Sequence, residues 1–376
     1  MLLARPRRTA LDRVWVTGAA GLLLAVGLIA LRLLTHSGPP IFLLPEHKFV
    51  DSSVASPELM PLGNSGYDGQ FVWRLAQDPF TTKATDHGVR IDIPPYRQQR
   101  ILLPLLAHLR PFGTTTQALV AINVLAMVGA CLAGAALARR GGHHALWGLL
   151  AGCSPTVLIG VARTLNEPLA TALVLAALVV WLRGARLAPA VLLTLAALAR
   201  ETTLASVFGM GVVALARRDR RAVVACLLPG GVELLWQLHL WQVWGELPWT
   251  AGGANLGTPV LGPLGDLFGR HRTEGFKVYA YEFFRIGVVA AIAVSAFARR
   301  VPAYLRGFAL GGAALALSLG AWEKDVAFIR ATTEVWTAAV VISLVTPSSR
   351  LTTGFRWFAV AASVFAGYRF TAGLAQ

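Results

Sequence analysis

The chain has 376 residues, of which 55% are hydrophobic and only 14% charged, and its mean hydropathy is +0.59. Soluble domains carry about 25% charged residues, so a soluble fold is excluded and a polytopic membrane protein is predicted. The formal net charge of +15 does not point to nucleic acid, because the basic residues fall in short clusters between apolar stretches and form no basic groove.

Residues 1–13, MLLARPRRTALDR, are a basic head before the apolar run Val14–Leu34. That run is long enough to cross a bilayer, and no small-residue cleavage site follows it. It reads as a first transmembrane helix with its N-terminus in the cytoplasm. A first outer loop then runs from about 35 to 100. Within it, YDGQFVWRLAQDPF at 67–80 places Phe71, Val72, Leu75 and Phe80 on one side and Arg74 and Gln77 on another. This spacing predicts a short amphipathic helix lying on a membrane surface.

Residues 101–112 are apolar but interrupted by Pro104, and they either dip into the interface or begin the second span. Further spans are predicted at Gln117–Ala138, Ala145–Val161, Pro168–Trp181, Leu187–Ala199, Thr203–Ala216 and Ala222–Trp244. A second outer loop, about 245–280, is followed by spans at Phe283–Ala298, Tyr304–Leu319, Thr332–Val345 and Trp357–Ala375. The basic clusters at 139–140, 183–186, 217–221, 299–300 and 350–356 all fall on one side of that alternation, the positive-inside pattern. The fold class is therefore all-α and polytopic, one transmembrane domain over 1–376 with about 11 helices. Several spans of about 13–17 residues imply a locally thinned bilayer.

Cys131, Cys153 and Cys226 lie inside apolar segments without metal-ligand spacing and read as small core residues. No metal-binding or serine-hydrolase motif is present. No cofactor is expected; a divalent cation at a bound phosphate stays open.

The charges on the outer side are the informative ones, since orientation alone predicts few cations there. They are Arg97, Arg100, Arg163, Arg200, Lys324 and Arg330, accompanied by Asp68, Asp92, Glu167, Glu201, Glu323 and Asp325. A charge within the membrane costs about 2.5–3.5 kcal/mol on insertion scales, so these groups are expected to face a shared aqueous cavity. Each also has a plainer role. Asp68 is placed to N-cap the helix that follows it, and Arg97 and Arg100 to act as interfacial anchors. Arg163, Glu167, Arg200 and Glu201 could pair among themselves, and Lys324 and Arg330 with Glu323, Asp325 or Glu334. Asp92, between two isoleucines, reads as a solvated loop residue.

Carboxylates beside guanidinium groups at a bilayer face suggest chemistry on a phosphate-bearing lipid. Outer arginines and a lysine would bind the phosphate of a polyprenyl-phosphate sugar. A carboxylate would take the proton from an acceptor hydroxyl as it attacks the anomeric carbon.

Three stretches resemble a known family. YDGQF with RLAQDP and YRQQRILLPLLA is similar to the first outer loop of GT-C glycosyltransferases, in the branch near the PIG-V-type mannosyltransferases. CSPTVLIGVARTLNEPLATALVLAAL and LAALARETTL resemble two turns of that branch. The resemblance implies a GT-C-like arrangement and an inverting transferase on the outer face. Its donor is a polyprenyl-phosphate sugar, with mannose the sugar that the branch suggests, and its acceptor a lipid or glycan. Asp68 takes the base role, Glu167 and Arg200 match charged residues of the turns, and Tyr67 and Gln70 join the substrate-contacting set from the same motif. Glu201 stands where the family often has a small polar residue, and IDIPPYRQQR replaces an aromatic-rich element, so sugar and acceptor stay open. The Ala, Arg and Leu content suggests a GC-rich bacterium, hence the inner membrane and a cell-envelope glycan or glycolipid. A multi-span transporter, flippase or ligase of lipid-linked sugars is the alternative reading. It would be expected to show mid-membrane charges and paired broken helices.

Overall fold

In the computed structural model, residues 10–35, 38, 40–61, 66–110, 113–252, 276–319 and 325–371 are described. They form eighteen α-helices with a small hairpin, so the chain is all-α as its composition requires. In chain order these are α1 (Val14–Thr35), α2 (Pro40–Leu43), α3 (Gly69–Gln77), α4 (Pro94–Gln98), α5 (Leu102–His108) and α6 (Thr115–Arg140). Next come α7 (Leu149–Gly152), α8 (Pro155–Arg163), α9 (Glu167–Leu182), α10 (Leu187–Ala199), α11 (Thr203–Ala216) and α12 (Arg220–Trp244). The last six are α13 (Pro248–Ala251), α14 (Phe276–Phe297), α15 (Ala303–Leu317), α16 (Asp325–Ala331), α17 (Thr333–Val345) and α18 (Arg350–Thr371). Strands β1 (Thr85–Asp86) and β2 (Val89–Arg90) pair antiparallel within the first loop.

Among the described residues, α1, α6 and α12 are long and apolar enough to cross a membrane alone, and a fourth candidate is the α7–α8 pair. The shorter apolar helices α9, α10, α11, α15 and α17 pack into the bundle together with α14 and α18. At 1.5 Å per residue the 13 residues of α10 reach only about 20 Å, against a hydrocarbon core of about 30 Å. Helix ends follow local chemistry. Thr114 and Gln117 close a capping box on α6. Asp219 caps α12 through the Ala222 N–H, and Gly245 ends it with φ 76°.

Two expectations are corrected. The span predicted at Ala145–Val161 is broken, α7 and α8 meeting at 54°. Pro155 sits at the first turn of α8 and cannot continue a helix from before it. The helix after Asp68 does not lie on a membrane surface: every residue of α3 but Gln77 is buried. Even Arg74 is wholly covered, its Nη2 donating to Thr81 at 3.0 Å. The apolar side of α3 packs on a separate small core with Leu43, Val50, Leu59, Val89 and Leu103. Loop 1 is thus a folded cap on one end of the bundle. Of the second outer loop, residues 253–275 lie outside the described residues.

The tightest helix seam is between α11 and α15, which run antiparallel. A methyl group built on Gly209 would stand 2.0 Å from the Gly307 carbonyl oxygen, and one on Gly311 2.1 Å from that of Ala205. Gly307 and Gly311 are four residues apart on one face, the spacing that lets helices approach in lipid, where packing replaces the hydrophobic drive.

Candidate functional site

The cap brings Asp68 over the bundle through a close backbone approach. A Cβ on Gly69 would meet the Arg163 carbonyl at 2.7 Å and that of Leu43 at 2.8 Å. Only glycine allows the first turn of α3 to rest on the end of α8. That end is closed by Thr164, a β-branched residue held at φ 49°, where such residues rarely sit. Its hydroxyl donates to the Phe42 carbonyl at 2.9 Å, tying α8 to α2.

Asp68 is the residue before α3, yet its side chain makes no cap hydrogen bond. It is committed instead to two arginines, Arg97 Nη1 at 2.8 Å from Oδ1 and Arg330 Nη1 at 2.6 Å from Oδ2. From there the contacts run in both directions. Arg97 also grips Asp92 with two parallel bonds, Nε to Oδ1 at 2.8 Å and Nη2 to Oδ2 at 2.7 Å. Arg330 Nε donates to Glu167 Oε1 at 2.7 Å, and the same oxygen accepts from Arg200 Nη1 at 2.7 Å. Arg200 Nε reaches Glu334 Oε1 at 3.1 Å, which also accepts from the Thr202 hydroxyl at 2.5 Å. The result is an alternating chain, Asp92, Arg97, Asp68, Arg330, Glu167, Arg200, Glu334. Beside it, Arg100 holds Glu201 in a two-pronged pair at 2.6 and 2.8 Å.

Tyr67 accepts from Arg330 at 3.1 Å, and the Arg163 guanidinium lies 4.4 Å from its ring centroid. Gln70 is buried, but its Oε1 accepts from the Glu46 N–H at 3.1 Å, so it braces the cap. Lys324 lies outside the described residues. The sequence thus named nine of the residues that meet in or beside this network: Tyr67, Asp68, Arg97, Arg100, Arg163, Glu167, Arg200, Glu201 and Arg330. Asp92, read from sequence as solvated, is an ion-pair partner of Arg97, because α4 turns the arginine back onto it. Glu334, offered from the sequence as a partner of Lys324 or Arg330, pairs with Arg200 instead, and Thr202 was missed, with nothing local to mark it. Arg97 and Arg100 are paired rather than snorkelling.

A cavity of about 20 Å³ opens at Asp68, room for one water. Its polar wall is Asp68, Arg97, Arg100, Asn166 and Arg330, and its other wall is Phe71, Val72, Leu75 and Pro104. Asn166 is 4% exposed and its Oδ1 has no partner there, so it offers an acceptor to a hydroxyl. Burial alone would raise the Asp68 carboxyl, but Arg330 and then Arg97 outweigh it and hold it well below the usual carboxylate range. Glu201 behaves alike, Arg100 overcoming burial to bring it to about 2. A larger depression of about 520 Å³ lies between residues 47–54 and 85–90. Its acids are satisfied by near neighbours, Asp51 by Ser53 and Asp86 by Lys83, and nothing there converges on one point. Among the described residues no three His, Cys, Asp or Glu side chains gather as a metal site.

No protein-family model and no curated protein matches this chain.

Proposed function

We propose that the chain is an integral-membrane glycosyltransferase of the GT-C kind, near the PIG-V-type branch, built on about eleven spans. It moves a sugar, mannose being the candidate, from polyprenyl phosphate to a hydroxyl of a lipid or cell-envelope glycan. The work is done on the outer face of a bacterial inner membrane. One observation supports this above others: a carboxylate set between two arginines on a cavity whose far wall is apolar. Such a place suits a lipid phosphate, with the headgroup at Arg97 and Arg330 and the first isoprene against Phe71 and Leu75.

In the reaction the acceptor oxygen bonds to the anomeric carbon while the carbon–oxygen bond to phosphate breaks. The electron pair leaves on the phosphate, the acceptor's proton goes to Asp68, and attack from the opposite face inverts the carbon. The arginines stabilise the charge that grows on the leaving phosphate. A cavity of about 20 Å³ is too small for a sugar, so donor binding parts the cap from the bundle.

The test is a transfer assay with purified protein in lipid nanodiscs and a panel of polyprenyl-phosphate sugars. Asp68→Asn should fold and lose about 10²–10⁴-fold in turnover, the usual worth of a general base. Full turnover by that variant would move the base to Glu201, whose carboxylate is 20% exposed. Wild-type protein that transfers no sugar from any donor, yet moves lipid-linked sugars across the bilayer, would replace the transferase by a flippase.

A further inference from the structure

We propose that the donor's phosphate enters this site by partner exchange, taking Arg97 and Arg330 away from Asp68 and so unmasking the base. The inference rests on the transferase reading and concerns how that site receives its anion. Three arginines line the cavity, Arg97, Arg100 and Arg330, and each already holds a carboxylate. Among the described residues that line the cavity, an arriving phosphate therefore meets no arginine without a carboxylate. It must displace something.

Geometry says what gives way. Arg97 holds Asp92 with two bonds, and Arg100 holds Glu201 with two; such two-pronged pairs are the strong ones. Glu167 is fully covered and is held by both Arg200 and Arg330. Asp68 meets each of its arginines through a single contact, keeps 22% exposure and lines the cavity. Of the carboxylates held by these three arginines it alone has neither a two-pronged grip nor full cover, and it is the one that lines the cavity. Two phosphate oxygens set between Arg97 and Arg330 would occupy the ground that its own two oxygens hold.

The exchange has a chemical consequence. Paired with two guanidinium groups, Asp68 is ionised but a weak proton acceptor. Released by the phosphate, it regains the basicity of an ordinary carboxylate at the moment the donor is seated. Asp92 becomes the positioning residue: by keeping its own grip on Arg97 it holds the guanidinium in place for the phosphate while Asp68 lets go.

The experiment measures binding of polyprenyl phosphate, the lipid phosphate without a sugar, to the full chain in nanodiscs. Wild type, Asp68→Asn and Asp92→Asn are compared, with Asp68→Ala in parallel in case the amide variant does not fold. Removing Asp68 removes the competitor, so binding should tighten on the order of tenfold, equivalent to about 1.4 kcal/mol. Removing Asp92 takes away an equal charge on the same arginine but leaves Asp68 to claim it, so binding should not tighten. Equal tightening in both variants would mean a general field effect and would overturn the exchange. Unchanged or weaker binding by the Asp68 variants, beside a wild type that transfers sugar, overturns the exchange and leaves the transferase standing. A wild type that neither binds the lipid phosphate nor transfers sugar removes both.

Discussion

The two ends of the bundle handle charge in opposite ways. At the capped end, side chains from loop 1, α9, the turn after α10, α16 and α17 are linked head to tail, and Glu167, at its centre, is fully covered. At the other end charges pair off in small separate groups and stay partly exposed. Asp12 pairs with Arg139 at 3.2 Å with both side chains partly exposed. Asp219 caps α12, accepts from the Tyr304 hydroxyl at 2.8 Å and lies 3.8 Å from Arg186. Charges that only orient a protein in a membrane can stay wet and pair with whatever is near. Charges gathered from distant segments and desolvated together cost several kcal/mol per ion unless every partner is in place, and they are retained where a site needs them.

The sharpest way to break this comparison is Arg200→Ala. Among the described residues it leaves Glu334 without a cation and takes one of two from Glu167. Breaking a buried pair costs about 3–5 kcal/mol, so thermal unfolding in detergent should fall steeply, and transfer with it. A loss below about 1 kcal/mol would show the network to be as slack as a surface pair.

Acid should find the same difference. The Glu201 carboxyl lies at about 2 in the fold against an ordinary 4.5. A depressed acid contributes stability that is present above the unfolded value and lost as pH falls toward the folded one. Stability should therefore hold from pH 8 to about 5 and decline between about 4.5 and 2. Glu201→Gln should be less stable at neutral pH and show a shallower decline; an identical profile would mean the pair with Arg100 contributes nothing.

The smallest effects belong to the opposite end. Asp219→Ala removes a cap and should cost about 1 kcal/mol. Arg139→Gln should cost roughly 0.2–1 kcal/mol. Neither should alter transfer. A change in donor affinity from either would join the two ends functionally and blur the contrast.

Much of the fold could be read from the sequence because apolar runs and basic clusters are local signals. The limits of α10 and α11 fall where the sequence placed them. The break at Pro155 was legible in principle, since proline at the first helical position is a boundary mark. The burial of α3 was not: its pattern fits a membrane surface as well as a protein core, and only the cap's own small core decides between them. The site divides the same way. Asp68, Arg200 and Arg330 stand out as charges where few are expected, whereas Glu334, offered from the sequence as a partner of Lys324 or Arg330, is the second residue of an apolar helix and meets Arg200 instead. Its role comes from α17 lying beside the turn after α10, which no spacing announces.

The glycine seam sets the tolerance of that arrangement. Arg200 precedes α11 and Glu334 opens α17, which packs beside α15; a Cβ on Gly312 would meet the Glu334 Cβ at 3.3 Å. The gauge between Arg200 and Glu334 is therefore cut by the contact of Gly209 with Gly307 and of Gly311 with Ala205. One methyl group added at Gly209, far from any reacting atom, would act as a shim, prising α11 from α15 and drawing the guanidinium off its carboxylate by a comparable distance.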